Sequence, residues 1–312
     1  MLTCFYFCVI EPKVKFFELP VVKFVNNVVI IGTCAFTAFL LLSNLPWYLP
    51  SIGDGESVVP AFYLIVFAAI AFAVYSSTSI KYVRILSLTT TWVFIALIVG
   101  MWAAAFVFGE SQITAYFTNL GLIGGYFANI DNFVLPINEY HEFYLFWWFS
   151  WSIMIGQFTS RFVGGLKTYQ VMLAMMVIPS IPIAAWFSVL YHYHSAGIPT
   201  EGITNLAMVC VGVVFVINSL DSLIRLYTDN LNMTVERIGK GNYIALNIVA
   251  LSLLTLLFKL DFLQIQWVGA LVIAIFFSCF AFILSQKFKS VTAIKTSPKE
   301  NKIDFTKIEN LN

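Results

Sequence analysis

A dense run of aromatic residues lies between positions 143 and 151. Five of them are candidates for binding a ligand through an aromatic ring: Phe143, Tyr144, Trp147, Trp148 and Trp151. The face of an aromatic ring attracts an organic cation, such as a quaternary ammonium group. Tryptophan is also enriched at membrane–water interfaces, where it anchors a helix and binds no solute. Composition alone leaves both interpretations open, a solute-binding site and an interfacial belt.

A group of polar residues interrupts an apolar stretch near position 220. Asn218, Ser219 and Ser222 occupy positions i, i+1 and i+4, so they share one face of a helix. Their amide and hydroxyl oxygens are suitable ligands for Na⁺, but the same groups also form hydrogen bonds between membrane helices. Asp221 and Arg225 are four residues apart, a spacing at which they can form an ion pair. The pattern therefore predicts either a cation site or a helix–helix contact.

The chain shows no arrangement typical of an enzyme. Its five cysteines are scattered from position 4 to position 279, without metal-binding or disulfide spacing. His192 and His194 are two residues apart, so their rings do not share a helix face. No paired nucleophile and base is visible. We expect no enzymatic activity, no cofactor and no metal other than Na⁺.

The composition indicates an integral membrane protein. Of the 312 residues, 60% are hydrophobic and 11% are charged, whereas soluble domains carry about 25% charged residues. The net charge of +1 excludes the strongly basic surface that nucleic acid requires. Because a bilayer offers no partner for unpaired backbone groups, long apolar stretches are expected to form helices. We predict an all-α protein embedded in the lipid bilayer of the plasma or inner membrane.

Eight apolar stretches are long enough to span a bilayer, which needs about 20 residues. If the first begins in the cytoplasm, every basic residue except Lys259 lies in an inner segment. Cytoplasmic segments of membrane proteins carry such an excess of Lys and Arg. The pattern predicts a multi-pass protein with a cytoplasmic C-terminus. The predicted spans are 22–44, 59–78, 86–108, 142–162, 169–193, 204–226, 242–258 and 262–286.

The segments outside the spans divide the chain into three predicted parts. Residues 1–21 form an apolar stub followed by a cytoplasmic segment, residues 22–286 form the transmembrane domain, and residues 287–312 form a cytoplasmic tail. Residues 109–140 form a long outer connection that we expect to contain a short surface helix.

The aromatic helix resembles the signature helix of the betaine/choline/carnitine transporters. In this sequence it reads Phe-Tyr-x-x-Trp-Trp-x-Ser-Trp from position 143, followed by Gly-x-Phe-x-x-Arg from position 156. Three further stretches are similar to other parts of that family in order and spacing. They are Ser79–Arg84, the segment with Pro179, Trp186 and Phe187, and Asn218–Ser222.

The resemblance implies a twelve-helix LeuT-type fold of which this chain carries helices five to twelve. Such folds bind their solute at mid-membrane between two inverted repeats. The helices that would supply the other half of the substrate cage are not among the eight spans. The fold expected for this chain is therefore an incomplete LeuT-type inverted repeat, completed by a missing N-terminal half. The resemblance also implies assembly as a homotrimer.

The resemblance implies a role for each candidate residue. Trp148 would close the cage around a trimethylammonium group, and Trp147 and Trp151 would line the inward exit path. Phe215, Asn218 and Ser219 would lie at a Na⁺ site, where Asn218 replaces the family's threonine. The implied function is secondary transport of glycine betaine, choline or carnitine by a Na⁺-coupled symporter. The alternative is a transport-inactive membrane scaffold that binds or regulates.

Overall fold

Eight long helices make up most of the protein in a computed structural model that describes residues 2–109, 113–163 and 166–294. The described residues contain helices and connecting segments but no β-strand. The long helices are α1 (Pro20–Tyr48), α2 (Pro60–Ser77), α3 (Ile80–Gly109), α4 (Glu139–Ser160), α5 (Thr168–Ser195), α6 (Ile203–Asn230), α7 (Lys240–Lys259) and α8 (Ile265–Phe282).

Seven of the eight predicted spans correspond to described helices that are long and apolar enough to cross a membrane. The eighth, predicted at 142–162, corresponds to α4, which has 22 residues but is not among those seven. Tryptophan, tyrosine, serine and glutamine replace the aliphatic residues of the other helices, so α4 is long enough but less apolar. The structure confirms the predicted eight long helices. Seven of them are also long and apolar enough to span a membrane.

Local sequence signals mark where several helices begin. Pro20 and Pro60 occupy the first position of α1 and α2. An N–H at this position has no acceptor within the helix, so proline, which lacks the N–H, costs no hydrogen bond there. Asn138 caps α4, because its side-chain oxygen accepts a hydrogen bond of 2.8 Å from the His141 N–H. Gly239 precedes α7 with φ +82°, a backbone conformation that favours glycine.

Helix α6 lies at the centre of the bundle and packs against α1, α2 and α3. Helix α7 covers α1 and α2 on one side, and α8 packs against α4 and α1. The shared core is fully buried at Leu220 and Ile224 of α6 and at Phe62 of α2. Helix α4 also contacts α1 and α6. Trp147 and Trp151 of α4 pack against the same core as Leu220 of α6.

A second, smaller core joins α3, α5 and the outer connection. The helices Ile113–Gly121 and Ile123–Ala128 confirm the expectation of short helices between α3 and α4. Tyr116 of the first lies 5.1 Å from Trp102 of α3, measured between ring centroids. Tyr193 of α5 donates a hydrogen bond of 2.7 Å to the Met101 carbonyl. These contacts hold the outer connection against α3 and α5.

The N-terminal residues form a compact hairpin beside α4. The short helices Leu2–Phe5, Tyr6–Ile10 and Glu11–Val14 precede a tight turn. The Glu11 carboxylate accepts hydrogen bonds from the Tyr6 hydroxyl at 2.7 Å and from the Phe17 N–H at 2.8 Å. Burial raises the pKa of Glu11, although these hydrogen bonds lower it. Of the predicted tail 287–312, residues 295–312 lie outside the described part.

Candidate functional site

Four aromatic residues of α4 form a continuous row of ring contacts. The centroid distances are 5.4 Å from Phe143 to Tyr144, 6.0 Å from Tyr144 to Trp147 and 6.4 Å from Trp147 to Trp151. The last pair is perpendicular, with an interplanar angle of 89°. Phe143 continues the row into α1, where it meets Phe36 at 5.5 Å. We call these four α4 residues the aromatic row.

Trp148 is the most exposed of the five aromatic candidates. Its side chain is 57% exposed, whereas Trp147 and Trp151 are half-buried and pack against the main core. Helical spacing alone does not produce this difference, because Trp148 is four residues after Tyr144 and three before Trp151 and so shares part of their face. What separates Trp148 from the row is packing, since it is absent from the main core. The structure therefore brings Phe143, Tyr144, Trp147 and Trp151 together and leaves Trp148 at the edge, 5.5 Å from the Trp147 ring.

The aromatic row contains two polar atoms without a hydrogen-bond partner. The indole nitrogens of Trp147 and Trp151 are buried and donate to no described group. An unpaired buried donor costs about 1–3 kcal/mol relative to a paired one. An unpaired indole N–H beside aromatic rings is suited to a ligand that carries an acceptor, such as a carboxylate or hydroxyl oxygen.

Two further unpaired atoms lie on α1, which packs against α4. Asn26 and Asn27 are each 2% exposed, and the side-chain oxygen of each is without a partner. The Asn26 amide donates a hydrogen bond of 3.1 Å to Gln157 of α4. Four of the six unpaired buried side-chain atoms in the described residues thus belong to α1 and α4. The α1–α4 region therefore holds most of the unpaired buried side-chain atoms in the described part of the chain.

The predicted cation ligands of α6 lie beside α3. The Asn218 side-chain oxygen accepts a hydrogen bond of 2.9 Å from Ser87. Phe215 is 37% exposed and its ring meets Phe94 of α3 at 5.1 Å. Ser219 is half-buried. Within the described residues, no group of three or more His, Cys, Asp or Glu side chains could hold a metal ion.

Asp221 does not form the predicted ion pair with Arg225. Its side chain is fully buried and accepts hydrogen bonds from Ser76 of α2 at 2.6 Å and from Ser222 at 3.1 Å. Arg225 instead lies 3.7 Å from Asp229, which is also 3.1 Å from Arg161. The prediction was wrong because burial separates the two side chains, the carboxylate turning inward and the guanidinium towards the end of the helix.

Sequence reasoning missed a hydrogen-bonded group around Tyr243 of α7. Its hydroxyl lies 2.9 Å from the Ser77 hydroxyl and 3.2 Å from the Thr228 hydroxyl, which joins α2, α6 and α7. Tyr227 donates to Asn247 in the same region. The sequence signal for this group was the presence of polar residues within apolar stretches. That signal does not identify which residues on separate helices are partners.

Comparison with known proteins gives one partial similarity. Over 95 residues the chain is 27% identical to a protein named glycine betaine transporter 1 of Vibrio parahaemolyticus. The aligned stretch is 30% of this chain and spans only 18% of that transporter. No protein-family model and no solved structure matches the chain. The seven long apolar helices and this similarity together indicate a multi-pass membrane protein that is similar over part of its length to a betaine transporter.

Proposed function

We propose that the protein is a secondary transporter of a quaternary ammonium solute, namely glycine betaine, choline or carnitine. The observation that carries the proposal is the aromatic row of α4, which combines aromatic faces with two unpaired indole N–H groups. The faces are suited to a trimethylammonium group, by attraction of about 0.5–2 kcal/mol each. The indole groups are suited to the oxygen at the other end of the solute.

The partial similarity to a glycine betaine transporter supports the same solute class. We extend it to membership of the betaine/choline/carnitine family, with a LeuT-type fold and helices five to twelve present. On that basis the outer half of the cage comes from helices outside this chain or from further copies of it. The C-terminus is then cytoplasmic.

We also propose that Na⁺ drives uptake from a site at Phe215, Asn218 and Ser219. The Asn218 oxygen that would bind Na⁺ now accepts a hydrogen bond from Ser87. Because an amide oxygen has two lone pairs, it can coordinate a cation while it keeps this hydrogen bond. Replacing Na⁺ by K⁺ in the assay should lower uptake, and Asn218→Ala should remove this dependence.

The experiment measures uptake of labelled glycine betaine, choline and carnitine in a transporter-deficient cell. One strain produces the chain alone, and another carries the DNA upstream of its first codon as well. Uptake that requires the upstream DNA supports a transporter that is incomplete in this chain. Uptake by the chain alone supports transport and contradicts the need for further helices. Failure of both strains contradicts the transport proposal.

A second candidate function is a transport-inactive scaffold that binds the same solutes. The hydrogen bond from Ser87 favours it, because this bond gives Asn218 a structural role in joining α6 to α3 that needs no cation. Saturable solute binding by the purified chain without uptake in either strain would distinguish the scaffold from the transporter.

A further inference from the structure

Three helices meet at a surface formed by Tyr75 of α2, Tyr82 of α3 and Lys240 of α7. The Lys240 ammonium lies over the Tyr75 ring, 4.5 Å from its centroid. The Tyr75 ring stacks on the Tyr82 ring at 5.6 Å with an interplanar angle of 20°. Both residues remain exposed to the surroundings, Tyr75 by 46% and Tyr82 by 39% of their surface. We call this surface the tyrosine–lysine patch.

The patch carries positive charge without an acidic partner in the described part of the chain. Lys81 and Arg84 flank Tyr82 at the start of α3, and Lys240 is the first residue of α7. Neither helix has an acidic residue in its first turn, although the positive end of a helix dipole favours one. Among the described residues, no carboxylate lies within ion-pair distance of Lys81, Arg84 or Lys240. An anion from outside the described chain would stabilise this arrangement.

The position of the patch identifies the source of that anion. Tyr75 lies two residues from the end of α2, and α2, α3 and α7 are all candidate membrane spans. The patch is therefore at the level where a spanning helix leaves the hydrocarbon. Exposed tyrosine rings are typical of this level. Basic residues there attract anionic lipid headgroups by about 1 kcal/mol each.

We propose that the tyrosine–lysine patch binds the phosphodiester headgroup of an anionic phospholipid. Lys240 contacts the phosphate, the stacked rings pack against the glycerol and upper acyl chains, and Lys81 and Arg84 add to the positive field. This inference does not depend on the proposed transport function. The proposed site is more specific than the general attraction between basic residues and anionic lipid, because the ring of Tyr75 holds Lys240 in one place between three helices.

The test uses the full chain in two kinds of nanodisc, one of phosphatidylcholine and one of equimolar phosphatidylcholine and phosphatidylglycerol. Native mass spectrometry measures the phosphatidylglycerol that the protein retains. We expect Lys240→Gln to lower the affinity for this lipid about fivefold, since one basic residue is removed. Tyr75→Leu should lower it as well, because Lys240 then loses its ring.

The matched control is Lys289→Gln, which removes the same charge from an exposed lysine of the helix Phe288–Thr292, away from the patch. It should retain phosphatidylglycerol as the unaltered chain does. An equal loss in Lys289→Gln and Lys240→Gln would overturn the proposal, since charge alone would then explain binding. Unchanged retention in Lys240→Gln would overturn it too.

Three further tests separate specific lipid binding from misfolding and from binding of a soluble anion. The thermal midpoint of each variant in phosphatidylcholine nanodiscs reports whether it folds, and Tyr75→Leu carries the test if Lys240→Gln does not fold. Lys240→Arg keeps the charge and the ring contact, so it should retain the lipid. Added glycerophosphate should not displace the lipid. Displacement would show that the patch binds a soluble anion and would overturn the lipid assignment.

Discussion

The residues of the aromatic row have different environments, and these environments predict different consequences of substitution. Trp147→Phe or Trp151→Phe keeps an aromatic ring in the row but removes its unpaired N–H. If that group donates to the solute, affinity for glycine betaine should fall about tenfold or more, the value of a hydrogen bond to a charged group. Equilibrium dialysis with labelled solute measures the change.

Trp102→Phe provides the matched control for this prediction. Trp102 also has a buried, unpaired indole nitrogen, but it lies in the second core beside Tyr116. Its substitution should leave solute affinity unchanged. If all three variants lost affinity equally, the loss would reflect general packing and not contact with the solute.

Ser76 is expected to stabilise the buried carboxylate of Asp221. Ser76→Ala removes a donor 2.6 Å from a carboxylate that has no basic partner among the described residues. The free energy of unfolding should fall by about 1–3 kcal/mol, the cost of an unsatisfied buried acceptor. Thermal or denaturant unfolding in detergent measures it.

Ser188→Ala is the comparison, because Ser188 is also buried but donates only to the Ala184 carbonyl of its own helix. That carbonyl keeps its backbone partner, so the variant should lose much less stability. A similar loss in both variants would contradict the special role of Ser76.

The sequence predicted residue types better than residue partners. The aromatic run of α4 is visible in the sequence, but spacing does not separate Trp148 from the row, because Trp148 is three residues before Trp151. Only the packing against the main core does. The partner of Asp221 was not predictable, because Ser76 lies 145 positions away and several serines were equally suitable. Only the packing of α2 on α6 selects it.

At the scale of elements, α4 is held against α8 by a close approach at Gly269. A Cβ atom added there would lie 2.5 Å from the Phe146 ring. Gly269→Val should therefore force the helices apart and lower the free energy of unfolding by about 1–3 kcal/mol. Unfolding of the purified variant measures the loss.

Gly100→Val is a suitable control, because a Cβ at that glycine meets no atom within 4 Å. It should cost far less stability. Equal destabilisation would show that helix propensity, and not the contact with Phe146, governs the effect. Displacement of α4 should also weaken solute binding in Gly269→Val, since the aromatic row is carried by the same helix.

Seven membrane helices were predictable because long aliphatic runs leave few alternatives in lipid. Helix α4 was predictable only as a helix, since its aromatic and polar residues reduce its apolar character. The N-terminal hairpin was predicted only as an apolar stub. Its shape depends on Glu11 accepting hydrogen bonds across a turn, which short apolar segments do not indicate.

At the scale of the whole molecule, the distribution of basic residues predicts the orientation in the membrane. The test uses a variant without natural cysteines, into which one new cysteine is introduced. Glu56→Cys places it in the connection between α1 and α2, and Lys167→Cys places it in the connection between α4 and α5. A membrane-impermeant maleimide should label the first from outside intact cells and should label the second only after the cells are opened. The reverse pattern would contradict a cytoplasmic C-terminus.

The central claim is that the aromatic row binds the trimethylammonium group of a solute. It is tested most directly by equilibrium dialysis with labelled glycine betaine, in competition with choline, carnitine and glycine, on the purified chain and on the product of the gene that also includes the DNA upstream of its first codon. Binding should be saturable, and choline and carnitine should displace the label, because they share the quaternary ammonium group. Glycine, which lacks the methyl groups, should not. Absence of saturable binding in both preparations, or equal displacement by glycine, would contradict the claim.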